Sequence, residues 1–481
     1  MAMFISGSSS STASFASLTL PNNVLKENLL TNSGFDVWSN GSLENATGTK
    51  LHPTSTCTDP DSDTDSTSGW SAHNGSALTS EESVAGFSGS VLKVLDQSGA
   101  DGSANFTATT VVGKLYKLVF TQKNGDNRGF VTVGNQSNDY DGDVYKILDN
   151  ASATAYTIVF EASFTTTYVT LGSIDDYDYC YFNDVSLYEV TPGCVGGNTK
   201  APDDWYKIGA TTCQIYREHS GSFTTDGSFY SLKAVTTAVQ QYIVHNYSQS
   251  AEEHVYTRFR GRTCTMGAWV KTSNAGVRVI IGDNSGETAS TAHGAGGGWE
   301  WLEVTKTFAD NITRAYFGIR NTTTANTTFY MSQPIAVFGS SIGEGNYTRP
   351  NTEIIYLEGE CALEDFNAST FTTGDNPTVN LESESRGKLP KTTKAIVNAR
   401  CTAKDSGTSS SSVVGYFYPG SGYENGIGFN IGNTGLTLAN DDDYMFNMSY
   451  MKTVNAGFTT NLTASGTDTL EIDIWVRAIE I

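Results

Sequence analysis

Aromatic side chains set among carboxylates and amides are the residues of this chain best suited to chemistry. Tyr140 sits in DYDGD (139–143) and Tyr177 in DDYD (175–178), while Trp70, Trp205 and Trp299 fall beside turn-forming residues. A pyranose packs its C–H groups on such a ring while carboxylates and amides bond its hydroxyls. Trp70, Tyr140, Tyr177, Trp205 and Trp299 are therefore the candidate carbohydrate contacts. The competing reading for each tryptophan is core filling, to which Trp38 and Trp269 are assigned outright.

The acidic runs are DPDSDTD (59–65), DYDGD, DDYD and NDDDY (440–444). None is an EF-hand, because Thr64 and Val144 stand where that loop requires glycine. They read as solvated loops, with DYDGD the exception, since alternate aspartates on a tight turn could share one cation. A glycosidase would need two carboxylates roughly 5–10 Å apart, and an acidic chain offers too many pairs to single one out. No GxSxG, HExxH or P-loop occurs, and no short repeat of the β-helix kind, so the chain is expected not to be an enzyme. Arg386, Lys388, Lys391, Lys394, Arg400 and Lys404 form the one basic cluster. It could meet anionic glycans or the acidic surface of a neighbouring subunit; a solvated hairpin is the plain alternative.

The formal net charge of −22 disfavours nucleic acid and anionic membranes as partners, because both require clustered cations. No stretch of 18 apolar residues is present to span a bilayer. The start, MAMFISGSSSSTASFASLTL, lacks a basic region and a continuous apolar run, so it does not read as a signal peptide. Seven cysteines without a CxxC suit a reduced, cytosol-made chain rather than a disulfide framework. Sequons such as those at Asn45, Asn105, Asn246 and Asn326 are then chance products of an Asn/Ser/Thr-rich composition.

The elements that must position these residues are strands. Alternation has period two, as in Tyr116, Leu118 and Phe120 against Lys117, Val119 and Thr121, and the 48 glycines supply turns. Four blocks recur in order. GSVLKVLDQSG (89–99), residues 113–134, residues 155–173 and YCYFNDVSLYEV (179–190) are echoed by GSFYSLKAVTT (227–237), residues 262–283, residues 299–321 and TTFYMSQPIAVFG (327–339). The sequence thus predicts an all-β chain with tandem β-sandwiches: an N-terminal attachment arm (1–27), sandwiches over 28–191 and 201–345, and a C-terminal sandwich over 353–481. PGCVGGNTK (192–200) reads as a linker and GEGNYTRPNT (343–352) as the next boundary. The terminal run EIDIWVRAIEI reads as an unshielded edge strand, which predicts closure by oligomerisation, most simply a homotrimer.

NLLTNSGFDVW near the start and YFNDVSLYEV at the close of the first sandwich resemble the first and last strands of the galactose-binding-like, carbohydrate-binding-module jelly roll. The second copy departs from it, with Ser332-Gln333-Pro334 in place of Asn183-Asp184-Val185. ISGSSSSTASF resembles short segments that precede fibre domains in structural proteins of tailed phages. The resemblance implies paired first and last strands, a structural Ca²⁺ tied by Asp36 and Asp184, and jelly rolls that bind glycans. It also implies a virion component, a tail or head fibre, joined to other virion proteins by its arm and adhering to host or environmental glycans. The alternative is a structural capsid-decoration or tail component that binds no glycan.

Overall fold

The computed structural model describes residues 27–51, 67, 69–174, 177–195, 202–208, 212–219, 221–248, 255–350, 353–363, 369–371, 378–379, 381–390, 394–405, 413–419, 427–431, 443–453, 458–464 and 470–481. It is an all-β molecule of antiparallel sheets, as the alternation requires. In the first jelly roll one sheet orders its strands Ser76–Glu81, Val91–Asp96, Tyr179–Cys194, Leu115–Asn124 and Thr154–Glu161. The opposing sheet runs Ser71–His73, Ser103–Thr109, Thr166–Ser173, Gly129–Gly134 and Val144–Leu148. Their inner faces supply one core, including Phe106, Leu118, Phe120, Val131, Leu171 and Phe182.

The second jelly roll repeats this order strand for strand. Its sheets are Gln214–Glu218, Ser231–Val235, Thr328–Phe338, Thr263–Thr272 and Trp299–Thr307, then Trp205–Ile208, Tyr242–Ser248, Arg314–Asn321, Val277–Asp283 and Gly286–Ala289. All four echoed blocks occupy equivalent strands. The departure at residues 332–334 falls on a shared feature: both closing strands slip register there, and Asp184 and Gln333 take φ of 53° and 50°. A bulge places one residue in the left-handed region, where the short polar Asp184 is tolerated and Gln333 is held by donating to the Asp226 carbonyl at 2.8 Å.

Three expectations are corrected. NLLTNSGFDVW is neither a strand nor part of the first jelly roll. Leu30, Phe35 and Trp38 are fully buried in the second jelly roll's core with Ile215, Ile243 and Phe317, and the Leu29 amide donates to the Ala336 carbonyl. The strand beside the closing strand of the first jelly roll is instead Ser42–Lys50. PGC is strand rather than linker: Gly193 and Cys194 pair with Tyr216 and Ile215, so one sheet continues from the first jelly roll into the second. The terminal strand Leu470–Glu480 is not an edge. It lies between Ile354–Ala362 and Lys394–Asp405, paired along both sides, with Ile474, Val476 and Ile479 buried. The exposed edge that motivated a trimer is thus absent. A second sheet, of four strands, Thr378–Val379, Phe458–Ala464, Val413–Pro419 and Ile427–Ile431, completes the C-terminal region. Residues 1–26 of the arm, the runs at 59–65 and 440–442, and Cys57 lie outside the described residues.

Candidate functional site

Tyr179 and Tyr181 open the long closing strand of the first jelly roll. Cys180 and Phe182 point into the core, fully buried, so strand alternation sends both tyrosines outward. The rings meet edge to face with centroids 5.3 Å apart. Together with the turn after Ser76–Glu81 and the turn after Leu115–Asn124 they line a cleft of about 670 Å³, whose rim carries Glu81, Glu82, Asn124 and Asp126. Gly125 is required here, because a Cβ on it would lie 2.2 Å from the Tyr179 ring.

The polar groups of the cleft are held in place. Lys93 puts its ammonium 4.1 Å from the Tyr179 centroid and 2.8 Å from a Glu81 oxygen. The other Glu81 oxygen accepts the Tyr181 hydroxyl at 3.1 Å. Burial, the Tyr179 hydroxyl and the Glu81 carboxylate all raise the Tyr181 phenol, which stays a neutral donor. Asn124 donates to Asp149 at 2.8 Å, and Lys123 donates to the Ala85 carbonyl at 2.8 Å. Two rings beside carboxylates and an amide are what a neutral pyranose requires: apolar C–H packing plus acceptors for its hydroxyls.

A second aromatic surface covers the outer face of the opposing sheet. Tyr140 lies edge to face with Tyr145 at 5.1 Å and over Phe130 at 5.8 Å, and its hydroxyl donates to Asp101 at 3.0 Å. Tyr140, Tyr145 and Ile147 remain 40%, 48% and 45% exposed. Asn138 pins the loop by accepting from Ser103 at 2.7 Å and donating to the Asp101 carbonyl at 3.1 Å. DYDGD does not gather its aspartates on one point. Asp139 accepts the Asn135 amide at 2.9 Å, while Asp143 accepts the Ser163 amide at 3.0 Å.

Of the other candidates, Tyr177 is 68% exposed on a turn two residues before the cleft tyrosines. Trp70 and Trp205 are corrected to core. Trp70 is 8% exposed and edge-on to Phe106; Trp205 is 1% exposed against Phe35 and His245. Both begin or precede a strand that faces the opposite sheet, so their rings turn inward. Trp299 is partly buried at the first position of its strand, opposite Lys271. The cleft tyrosines were missed although YCYF carries their signal: two tyrosines at i and i+2 around a small apolar residue, in a strand with a buried face.

The carboxylates assigned to Ca²⁺ do not fit that ion. Asp36 is 3% exposed and its carboxylate is paired with the Arg349 guanidinium, which also bonds Glu353 at 3.0 Å. A fixed guanidinium occupies the role the cation would have. Asp184 is exposed on its bulge, and no cluster of three metal-ligating side chains occurs among the described residues.

No protein-family model matches the chain, and no curated protein does either. Solved structures do. The tandem CBM22-1–CBM22-2 domain of Xyn10C from Paenibacillus barcinonensis aligns over 63% of this chain and 98% of its own, at 12% identity and TM-score 0.28. The N-terminal cellulose-binding domain of Cellulomonas fimi β-1,4-glucanase C aligns over 26% of this chain and 91% of its own, at 19% identity and TM-score 0.19. The enzymatically active domain of Bacteriophage CBA120 tailspike protein 4 aligns over 25% of this chain and 19% of its own, at 15% identity and TM-score 0.20. The structural neighbours are thus chiefly carbohydrate-binding modules, and the jelly-roll assignment itself rests on the strand order.

Proposed function

We propose that this chain is a non-catalytic glycan-binding protein, a fibre or decoration component of a phage virion, that adheres through its jelly rolls. The observation that carries glycan binding is the cleft lined by Tyr179 and Tyr181 with Glu81, Glu82, Asn124 and Asp126. Its volume lies in the range of small-ligand sites. Glu81 is engaged by Lys93 and Tyr181, an arrangement that suits a fixed acceptor of hydroxyl protons better than a shuttling acid. The virion placement and attachment through residues 1–27 are supported by ISGSSSSTASF.

The test is affinity electrophoresis of the full chain against neutral polysaccharides (β-glucan, xylan, galactan and mannan), with Tyr179→Ala and Tyr181→Ala variants. Each ring is expected to contribute about 1 kcal/mol, so each variant should bind roughly tenfold or less more weakly, and the double variant more so. Equal binding by wild type and double variant, or none by wild type, refutes the assignment. Release of reducing sugar from a bound polymer would refute the non-catalytic part. For the virion, particles assembled with the chain lacking residues 1–27 should not incorporate it; normal incorporation removes the arm from the reading.

A further inference from the structure

A second cleft, of about 540 Å³, lies where the outer face of the first jelly roll meets the C-terminal region. Its charge is opposite to that of the tyrosine cleft. Among the described residues, Lys117, Arg386 and Lys388 line it with one carboxylate, Glu360, beside walls that include Thr157 and Val159. Three cationic side chains and one carboxylate on the described lining stand out on a chain of net charge −22. The Debye length is about 8 Å at physiological ionic strength, so these lining residues and Glu44, whose carboxylate accepts the hydroxyl of the lining Ser42, set the potential inside the cleft more than distant carboxylates do.

Arg386 and Lys388 are presented on a hydrogen-bonded turn. After the short helix Leu381–Glu384 the chain turns through Arg386 and Gly387, with φ of 53° and 74°. The Gly387 amide donates to the Glu382 carbonyl at 2.6 Å, and the Arg386 amide to Ser383 at 2.8 Å. A Cβ on Gly387 would lie 2.6 Å from Leu115 and 2.9 Å from Pro192, so only glycine lets the turn seat against the first jelly roll. The Lys388 carbonyl accepts the Trp38 amide at 2.9 Å, and its ammonium uses one donor on the Glu360 carbonyl at 2.9 Å. Lys117 reaches the cleft from the strand Leu115–Asn124. A turn fixed before the ligand arrives adds no backbone ordering to the cost of binding.

We propose that this cleft is a separate saccharide site that takes the carboxylate or sulfate group of an acidic polysaccharide, with Lys117, Arg386 and Lys388 as its cationic contacts. It rests on the glycan-binding reading above and adds a second ligand class to it. Guanidinium and ammonium groups give an oxyanion charge-assisted hydrogen bonds, while the exposed Thr157 can meet a sugar hydroxyl.

The full chain is titrated with polygalacturonate and dextran sulfate as carboxylate and sulfate probes, and with a neutral polysaccharide bound through the tyrosine cleft. Lys117→Gln and Arg386→Gln are each expected to weaken acidic-polymer binding roughly tenfold and to flatten its salt dependence, with neutral binding unchanged. Tyr179→Ala should do the reverse. The stronger of the two polyanions identifies the group recognised. Retention of full acidic-polymer affinity by the Lys117→Gln, Arg386→Gln double variant overturns the proposal, as does wild type that binds neutral but neither acidic polymer. Wild type that binds no polymer at all overturns the glycan reading as well. Self-association in sedimentation that Lys117→Glu abolishes, without polyanion binding, would instead make the cleft a contact between copies.

Discussion

Replacing Trp38 with alanine should weaken the second jelly roll and leave the first intact, although residue 38 precedes the first jelly roll in the chain. The indole is fully buried with Leu30, Phe35, Trp205 and Ile215, and its Nε1–H donates to the Phe35 carbonyl at 2.8 Å. Emptying such a site costs about 3–5 kcal/mol, the transfer free energy of the ring plus the cavity it leaves. For a unit of this size that lowers the melting temperature by roughly 6–20 °C. Hydrogen exchange resolved by strand distinguishes the units: protection should fall in Val277–Asp283 of the second core and persist in Gly129–Gly134 of the first. Lost protection confined to Gly129–Gly134 would refute the placement of residues 28–40, and with it the chain crossing.

Arg217 and Glu382 form a buried ion pair at 2.8 Å, 1% and 5% exposed, with the guanidinium also over Tyr230. Arg217→Ala should cost about 3–5 kcal/mol by leaving the buried Glu382 carboxylate without its counter-charge, read by denaturant unfolding; a loss under 1 kcal/mol would show that water reaches the pair. Burial raises the Asp204 carboxyl to about 6, with Asp203 adding to the rise and the Thr31 hydroxyl opposing it. A carboxyl that holds its proton more tightly when folded loses stability as pH rises between its unfolded value near 4 and about 6, with no further loss above. Asp204→Asn should therefore gain stability over wild type across that window. His245, pushed down to about 3 by burial, slopes the other way in both proteins, so the difference between the two melts is the measurement. Chelation by EDTA should leave the melting temperature of the first jelly roll unchanged, and a drop of several degrees would restore the Ca²⁺ reading. Asp184→Gly should be tolerated and Asp184→Val should destabilise, since φ of 53° suits glycine and opposes a β-branched residue; equal melts would deny the bulge its role.

What the sequence determined by itself was the class of fold and its duplication. Period-two alternation and turn residues act locally, so strands could be read from them, and four echoed blocks were enough to align copies that match over ten strands each. The alternation in YCYF also contained the cleft tyrosines, because which face a strand residue takes is a local property. Only the tertiary structure decided where the chain's long-range partners lie. NLLTNSGFDVW carries Leu30, Phe35 and Trp38 that any apolar core could accept, and the choice between two similar cores depends on contacts with residues some 170–300 positions away. The role of Asp36 followed from Arg349, 313 residues distant, which neutralises it where the sequence suggested a metal. The terminal strand looked like an edge because its pairing partners, Ile354–Ala362 and Lys394–Asp405, leave no mark on its own composition. Trp70 and Trp205 likewise sit beside turns in sequence yet under sheets in space, since burial depends on what folds over a residue, and that is set by the whole chain.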